Sequence, residues 1–313
     1  MGAGIGIAGV GATPHVSSGR CGGLRPGMKR FIKEALRRLG LLELALVGYW
    51  SANPRTVYHN IPYWVKGAPD RLPIPPLKLR TRVWARYADL HLFFQEEGHV
   101  QQTLDIASKY GANTSAFRAI LDFGCGAGRA IRQFSHLEEP LTKAKIYGTD
   151  INADQINWCK RYLPFAEFRV NQALPPLPFA DESFDFIYNV AVFTHLPEQE
   201  QLLWMKEFHR VLRPNGYVLL ATCGEVYVGT LTPDEEKKFL AGELVVRNGE
   251  HAGLPSTYEA CFAYHPFNFV KESLTKHFEL RYFDPGKPPP QARPMQEMDH
   301  YLFKKPSGTQ PTV

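Results

Sequence analysis

The chain has 313 residues, a formal net charge of +5 and enough apolar residues, 44%, to bury a substantial core. No apolar run approaches the roughly 18–20 residues that a membrane span requires. The five cysteines show no CxxC spacing and the histidines form no HExxH pattern, which argues against a disulfide framework and a metal site. We therefore expect a cytoplasmic protein without a bound metal.

The positive charge is concentrated at the N-terminus. Residues 1–38 contain seven lysines and arginines against one glutamate, and the remaining residues have a net charge of −1. A nucleic-acid-binding domain usually spreads its basic residues over a binding face. The main body of the chain is therefore not expected to bind RNA or DNA.

The first part of the chain differs in pattern from the rest. Residues 1–27 are rich in Gly, Ser and Ala, which predicts a disordered leader and leaves Met28 as an alternative start. The periodicity of residues 29–46 predicts a basic amphipathic helix. We favour an accessory helix packed on the domain, with weak contact to an anionic membrane surface as the alternative. Residues 71–80 are predicted to be extended, and residues 84–110 helical.

Between residues 119 and 224, strand-length apolar runs alternate with helical patterns. The runs are AILDF, AKIYGTD, AEFRV, FDFIYNVAVF and YVLLATC, and the helices are predicted near 128–137, 153–163 and 198–212. This alternation predicts an α/β fold with a doubly wound, mostly parallel sheet. Two late runs, FELRYFDP and DHYLFKKP, predict an antiparallel hairpin that closes one edge of the sheet.

A glycine-rich segment, LDFGCGAGR, follows the first predicted strand. Its pattern is D-x-G-x-G-x-G, formed by Asp122, Gly124, Gly126 and Gly128. Ligands of doubly wound sheets bind at the carboxyl ends of strands, and glycines there let a ligand approach the backbone. A dinucleotide site would have glycine where Arg129 stands, and an acid is a poor neighbour for pyrophosphate. A cationic ligand without phosphates, such as S-adenosylmethionine, fits this segment better.

The second predicted strand ends in YGTDIN. Asp150 could accept hydrogen bonds from both hydroxyls of a ribose or could cap the next helix, and we favour the ribose contact. Ile151, next to it, could lie against the face of an adenine ring.

Four blocks of this chain resemble, in order, the class I S-adenosylmethionine-dependent methyltransferase family. They are LDFGCGAGR, YGTDIN, LPPLPFADESFDFIYNVAVFTHLP and RVLRPNGYVLL, and together they cover about residues 117–224. The flanking segments PDRLPIPPLKLR and MDHYLFKKP resemble a bacterial branch whose members often act on glycans or secondary metabolites. The resemblance implies a Rossmann-like core that binds S-adenosylmethionine and transfers its methyl group.

The residues and the resemblance together suggest eleven contacts to the cofactor: Asp122, Gly124, Cys125, Gly126, Gly128, Asp150, Ile151, Gln172, Ala173, Asn189 and Val190. Asp122 could instead only hydrogen-bond the loop backbone, and Cys125 is expected to be a small packed residue. Asn189 and Val190 could also be ordinary strand residues. Where the family offers an Asp to adenine this chain reads RVNQAL, so Gln172 or the backbone of Ala173 would take that role.

The candidate catalytic residue is His195 in VFTHLP. Past the fourth strand it would face the transferred methyl group and could deprotonate an acceptor hydroxyl, or it could cap the next helix. The aromatic stretch STYEACFAYHPFNF supplies the candidate substrate contacts Tyr258, Tyr264 and His265, with core or lid packing as the alternative.

We thus predict a methyltransferase that acts on an oxygen of a small molecule or a sugar. The alternatives are a methyltransferase of RNA or protein, and a cofactor-binding domain without turnover that serves as a scaffold. We divide the chain into a leader, an N-terminal accessory region of helical and extended segments, a cofactor-binding Rossmann-like core and a part that completes the sheet and covers the acceptor: residues 1–27, 28–115, 116–224 and 225–313.

Overall fold

The computed structural model describes residues 41–95, 98–137, 143–248, 261–288 and 297–308. The predicted leader, and residues 29–40 of the predicted basic helix, lie outside these ranges. The α-helices are α1 (Leu42–Ser51), α2 (Pro54–Lys66), α3 (Leu77–Val83), α4 (Leu90–Phe94), α5 (His99–Lys109), α6 (Ala153–Tyr162), α7 (Glu198–Val211), α8 (Pro233–Leu240) and α9 (Phe267–Phe269). The strands are β1 (Ala119–Phe123), β2 (Lys145–Asp150), β3 (Ala166–Val170), β4 (Phe184–Val190), β5 (Leu212–Thr222), β6 (Val245–Asn248), β7 (Cys261–Tyr264), β8 (Glu279–Asp284) and β9 (Asp299–Lys304).

Seven of these strands form one sheet in the order β3-β2-β1-β4-β5-β9-β8. Strands β1 to β5 are parallel to one another, and β9 runs antiparallel to both β5 and β8. The predicted fold class, including the antiparallel hairpin at one edge, is therefore confirmed. Strand order reverses between β1 and β4, which is where doubly wound sheets bind their ligands.

The central strands are apolar because both faces of the sheet are covered. Every residue of β1 is buried. On one face of the sheet, Ile120 and Phe186 belong to an apolar cluster that includes residues of α5 and α6. On the other face, Leu121 and Ile187 belong to a cluster that includes residues of α7. Continuous apolar runs of this kind are typical of parallel strands buried on both faces.

Three predicted elements differ in the structure. The helix predicted near 128–137 is only a 3₁₀ helix, Ile131–His136, because the left-handed backbone of Gly126 and Gly128 prolongs the turn. Residues 71–80 are not extended throughout, since α3 begins at Leu77. Residues 84–110 form a 3₁₀ helix, Ala85–Ala88, followed by α4 and α5.

The breaks in residues 84–110 have local causes. The side chain of Asp89 accepts hydrogen bonds from the backbone N–H groups of His91 and Leu92 and so caps α4. Gly98 has a φ of 88° and stands at the start of α5. The apolar pattern predicted one helical segment over residues 84–110. Asp89, as a cap, and Gly98, with its left-handed backbone, divide this segment into shorter helices.

A buried ion pair joins the N-terminal region to the core. Arg132, in the 3₁₀ helix after the glycine loop, pairs with Asp70 through its Nε and, at 2.9 Å, through its Nη2. The same Nη2 donates to the carbonyl oxygens of Leu72 and Pro73. These contacts hold the segment before α3 against the glycine loop.

The chain beyond residue 225 adds cover at the carboxyl ends of the strands. The 3₁₀ helix Glu225–Thr230, α8 and a two-stranded antiparallel sheet of β6 and β7 form this part. The small sheet was not predicted from the sequence. Within the described ranges, no helix is long and apolar enough to cross a bilayer.

Candidate active site

A cavity of about 270 Å³ opens where β1, β2, β3 and β4 end. It is lined by Arg82, Phe123, Gly124, Gly126, Asp150, Ile151, Asn152, Gln155, Asn171, Ala173, Val190, Ala191, Val192, His195, Leu196, Glu200 and Trp204. A larger cavity, of about 420 Å³, lies between the N-terminal region and the helix Ile131–His136, away from the strand ends. The position of the smaller cavity at the reversal of strand order makes it the candidate site.

The glycine loop is bonded to the end of β2. The backbone N–H groups of Gly124 and Cys125 both donate to the carbonyl oxygen of Thr149, at 2.8 and 2.9 Å. The N–H of Gly126 donates to Oδ2 of Asp150 at 2.9 Å. The loop therefore has a fixed shape, with Gly124 and Gly126 in the cavity lining.

Two of the loop glycines are required for steric reasons. A Cβ on Gly124 would lie 2.1 Å from Cγ2 of Val192, and a Cβ on Gly128 would lie 2.5 Å from Cδ1 of Leu163. Both glycines have φ near 80°, a conformation that side chains rarely adopt. Gly128 faces the core and does not line the cavity, so its requirement for glycine comes from packing between the loop and α6.

Asp150 lines the cavity at the end of β2. Its Oδ1 accepts from the N–H of Asn152 at 2.8 Å, and burial raises the pKa of its carboxyl. The cap of α6 is Asn152, whose side chain accepts from the N–H of Gln155, so Asp150 is not the capping residue. The N–H of Ile151 also contacts this carboxylate, whose two oxygens still have lone pairs for further donors. Ile151 is 41% exposed and lines the cavity beside it.

The residue after β3 that faces the cavity is Asn171. Oδ1 of Asn171 is buried without a hydrogen-bond partner, and the N–H of Asn171 donates to the carbonyl oxygen of Asp150 at 3.1 Å. Gln172, the residue predicted from the sequence, is exposed and does not line the cavity. Strand β3 ends at Val170, as the run AEFRV predicted, and the first residue after it, Asn171, is the one in the lining. Ala173 does line it, and its carbonyl oxygen accepts from Nε1 of Trp204 at 3.3 Å.

Three other predicted contacts, Asp122, Cys125 and Asn189, lie behind the cavity lining. Asp122 is buried under the loop, where burial raises the pKa of its carboxyl to about 7, although the N–H of Ile131 and the hydroxyl of Tyr188 oppose that rise. This position favours the alternative in which Asp122 fixes the loop backbone. Cys125 is a buried, packed residue, and Asn189 is fully buried with neither side-chain polar atom hydrogen-bonded.

The segment after β4 forms the opposite wall. Val190, Ala191, Val192 and Leu196 line it, with His195 at the end of the 3₁₀ helix Phe193–His195. The His195 ring lies edge-on to Phe262, with ring centroids 5.8 Å apart. His195 thus lines the cavity and precedes α7 instead of starting it.

Glu200 and Arg82 also line the cavity but were not predicted. Glu200 is in the first turn of α7, five residues after His195, and burial raises the pKa of its carboxyl. Glu200 could have been noticed in the sequence, because it is an acid in the first turn of the helix that follows His195. Arg82 comes from α3, whose Leu79 carbonyl oxygen accepts from Nε2 of Gln155 at 2.9 Å. The N-terminal region therefore contributes to the cavity lining through Arg82, which no motif indicated.

The candidate substrate contacts are not part of this lining. Tyr264 is buried and accepts from Nη1 of Arg247 at 3.1 Å. His265 is fully buried, its Nε2 is 3.2 Å from Oε1 of Gln201, and burial lowers its pKa to about 3. The structure thus places both residues in the core, as the packing alternative expected, and Tyr258 lies outside the described residues.

Residues 121–220 match the family described as a methyltransferase domain. The chain is similar to the fatty-acid O-methyltransferase of Mycolicibacterium smegmatis, 35% identical over 103 residues, which are 33% of this chain and 36% of that protein. It is also similar to the phthiotriol/phenolphthiotriol dimycocerosates methyltransferase of Mycobacterium tuberculosis, 37% identical over 102 residues, 32% of this chain and 36% of that protein. The chain thus matches little more than a third of the length of these curated relatives.

A sterol 24-C-methyltransferase of Schizosaccharomyces pombe is 28% identical over 170 residues, 50% of this chain and 42% of that protein. Among solved structures, a methyltransferase of Methanosarcina mazei is 24% identical and covers 64% of this chain and 97% of its own, with a TM-score of 0.44. The family match includes the glycine loop and the ends of β2, β3 and β4, which form the cavity. Residues 121–220 therefore match a methyltransferase domain, which agrees with the family that the sequence motifs resemble.

Proposed function

We propose that this protein methylates an oxygen atom of a small molecule with an apolar body. When bound, S-adenosylmethionine supplies a methyl group that is already activated on a sulfonium. The observation that carries the proposal is the two-sided cavity. The segments after β1, β2 and β3 form a polar side, called here the cofactor side, and the segment after β4 with the first turns of α7 forms an apolar acceptor side.

The residues of the cofactor side fit this cofactor. The carboxylate oxygens of Asp150 have lone pairs left after they accept from backbone N–H groups such as those of Gly126 and Asn152, which suits the hydroxyls of a ribose. The unpaired, buried Oδ1 of Asn171 suits the amino group of adenine, since a buried acceptor without a donor is costly. The exposed face of Ile151 suits the adenine ring.

The loop after β4 supports a role in positioning the methyl group. Ala191 has a φ of 63°, a strained conformation for a residue with a Cβ, and its N–H donates to the carbonyl oxygen of Ala221 at 3.1 Å. Strained backbone of this kind is concentrated at functional sites. We infer that Ala191 and its neighbour Val190 orient the methyl donor, whose transfer depends chiefly on alignment and on exclusion of water.

The acceptor side offers two groups that can take a proton. The ring of His195 faces the cavity and can accept the proton of an acceptor hydroxyl as the bond to the methyl group forms. The carboxyl group of Glu200, whose pKa is raised by burial, lies on the same side. We assign His195 as the general base and Glu200 as a second polar group that orients the acceptor.

The chemistry of the lining supports an apolar acceptor over a sugar. Val192, Leu196 and Trp204 give the acceptor side large apolar surfaces, and the ring of Phe262 packs edge-on against His195. A sugar would leave several hydroxyls without partners in such a lining. The relatives are named for methylation of a fatty acid, a phthiotriol lipid and a sterol, all largely apolar molecules. We propose a hydroxyl or carboxyl group on a lipid-like molecule as the acceptor.

The test is methyl transfer from radiolabelled S-adenosylmethionine by the full chain. The acceptors offered separately are a medium-chain fatty acid, a fatty alcohol, a hexose, bulk tRNA and a protein mixture. We expect label in the extract of the fatty acid or the fatty alcohol. Label found only in tRNA or protein would replace this proposal by the corresponding alternative. Binding of S-adenosylhomocysteine in calorimetry without label in any acceptor would favour a scaffold without turnover.

A further inference from the structure

Helix α2 buries polar side chains and exposes large apolar ones. Thr56 and Asn60 are 2% and 4% exposed, whereas Trp64 and Val65 are 62% and 78% exposed. Tyr58 and Ile61 also face outward, at 73% and 47%. An amphipathic helix of a globular domain normally places its apolar side inward. This helix instead presents an apolar stripe to its surroundings.

Buried hydrogen bonds fix this orientation. The side chain of Asn60 donates from Nδ2 to the carbonyl oxygen of Ala88 at 2.9 Å and accepts at Oδ1 from the N–H of Leu90 at 2.6 Å. One position away, Nδ1 of His59 lies 2.8 Å from Oδ2 of Asp89. Turning the apolar stripe inward would break these bonds and bury unpaired polar groups. The stripe is therefore held outward by the fold.

The exposed apolar residues are clustered in this part of the molecule. Of the fourteen large apolar residues that are exposed in the described ranges, eight lie between residues 41 and 65. Helix α1 contributes Leu44 and Tyr49, at 70% and 64%. We call Leu44, Tyr49, Tyr58, Ile61, Trp64 and Val65 the N-terminal apolar face. Clustered exposure of this kind indicates a surface that is covered by something else.

The charged residues within α2 are all basic. Arg55 and Lys66 stand at the two ends of α2, and no Asp or Glu occurs between residues 44 and 69. The preceding residues 28–40 carry five lysines and arginines and one glutamate. Exposed Trp and Tyr together with flanking basic residues suit the interface of an anionic bilayer. A second copy of the same face would bring like charges together, which argues against self-association.

We propose that the N-terminal apolar face docks on the surface of an anionic lipid bilayer. Trp64, Tyr58 and Val65 enter the headgroup region, and Arg55 and Lys66 contact lipid phosphates. Helix α2 has 13 residues and lies along the surface without crossing the bilayer. The inference stands on the exposure and charge of this region and does not depend on the proposed methyl transfer.

The experiment is co-sedimentation of the full chain with vesicles of phosphatidylcholine alone or with 30% or so phosphatidylglycerol. The variant is Trp64→Glu with Val65→Glu. Its matched control is Leu203→Glu with Leu240→Glu, which makes the same kind of change at two residues of α7 and α8 that are 47% and 69% exposed. We expect the wild type and the control to bind the anionic vesicles. The α2 variant should bind at least about tenfold more weakly, since two large apolar side chains are lost from the interface.

Other results would overturn the proposal. These are no binding of the wild type to anionic vesicles, or equal loss of binding in the α2 variant and the control. Binding that survives the α2 variant but is lost on deletion of residues 1–40 would assign the contact to the preceding basic segment alone. A wild-type dimer in sedimentation equilibrium that the α2 variant makes monomeric would show that a second copy covers the face. Because all four changed residues are exposed, unchanged melting temperatures are expected for both variants.

Discussion

The two sides of the cavity are built differently. The cofactor side depends on backbone: three consecutive loop N–H groups end on Thr149 and Asp150, and glycines make room for the turn. The acceptor side depends on side chains that come from β4, from α7 and from the small sheet that carries Phe262. A short sequence motif is enough to predict the backbone geometry of the cofactor side. The acceptor side cannot be predicted in this way, because its side chains come from segments that are distant in the sequence.

The difference also separates binding from chemistry. The groups of the cofactor side are held by hydrogen bonds within the protein before any ligand arrives. The acceptor side has two groups able to exchange protons, His195 and Glu200, among apolar neighbours. Changes on the cofactor side should therefore alter affinity for the cofactor, and changes on the acceptor side should alter turnover. Variants of His195 and Asp150 test this division, and variants of Asp122 and Gly128 test the stability of the structure beneath the cofactor side. They follow from the largest expected effect to the smallest.

The largest effect is expected for His195→Ala. With an alcohol acceptor, whose proton must be removed, loss of the proposed general base should lower kcat by about 10²–10⁴-fold, while the Kd for S-adenosylhomocysteine should stay within about twofold. A carboxylate acceptor has no such proton, and its kcat should change little. The measurements are steady-state kinetics at saturating cofactor and calorimetry. His136→Ala, an exposed histidine outside the cavity, is the matched control. Wild-type turnover in His195→Ala would show that this histidine is structural.

The next largest concerns the pH dependence of stability, through Asp122. Its pKa is about 7 in the folded protein against an ordinary value of 3.8, so the folded state binds this proton more tightly than the unfolded state. The carboxyl should therefore favour the folded state increasingly as the pH falls from about 7 to about 4. The free energy of unfolding of the wild type relative to Asp122→Asn should rise over that window by up to about 4 kcal/mol.

Urea denaturation of the wild type and Asp122→Asn at several pH values measures this difference. The comparison of two proteins is needed because His99 and His265, whose pKa values burial lowers to about 3, destabilise the fold as the pH falls. These histidines are the same in both proteins, so their effect cancels. A difference that does not change with pH would mean that Asp122 is ionised throughout and that the loop supplies more donors to it.

A third variant, Gly128→Ala, tests the part of the loop that faces the core. The added methyl group would lie 2.5 Å from Cδ1 of Leu163 at a φ of 82°, so we expect a loss of about 2–3 kcal/mol in the free energy of unfolding. Gly229→Ala is the control, since a Cβ there meets nothing within 4 Å. Equal stability of the two variants would show that the loop shifts without cost, and the cofactor side would then be less rigid than the backbone bonds imply.

The smallest effect is expected for Asp150→Ala. Loss of charge-assisted hydrogen bonds should weaken the binding of S-adenosylhomocysteine by about 1–3 kcal/mol in calorimetry, with little change of kcat at saturating cofactor. Asp154→Ala, an exposed acid in the first turn of α6, is the matched control. Unchanged affinity in Asp150→Ala would remove this carboxylate from the site and break the division between the two sides.

The outcome of the sequence predictions follows the same division. The bounds of β1 and the placement of Gly124, Gly126, Asp150 and His195 were predictable, because buried parallel strands leave continuous apolar runs and the motif marks where they end. Asn171 was missed in favour of Gln172 because a shift of one residue at a strand end changes which side chain faces the ligand. Asn is the amide counterpart of the family's Asp, a signal that was present in RVNQAL.

The remaining residues could not be found from local pattern. The aromatic stretch around Tyr264 has the composition of a substrate pocket and also that of a core, and only the fold distinguishes the two. The reversed polarity of α2 is invisible in the sequence, because periodicity shows that a helix has two faces and not which of them the protein covers. Arg82 reaches the cavity through contacts such as that between Leu79 and Gln155, which lie 76 positions apart.

The pairing of Arg132 with Asp70 has a practical consequence for dissection of this protein. Arg132 is 2% exposed, and its guanidinium is also held by the carbonyl oxygens of Leu72 and Pro73. A fragment that starts at residue 116 would lose all of these partners, and the guanidinium next to the glycine loop would be left without its carboxylate. We expect such a truncation to weaken binding of S-adenosylhomocysteine twice over, because it removes Arg82 from the cavity lining and also removes the ion pair that supports the glycine loop from behind. The segment that precedes β1 therefore belongs in any fragment made to study the cavity.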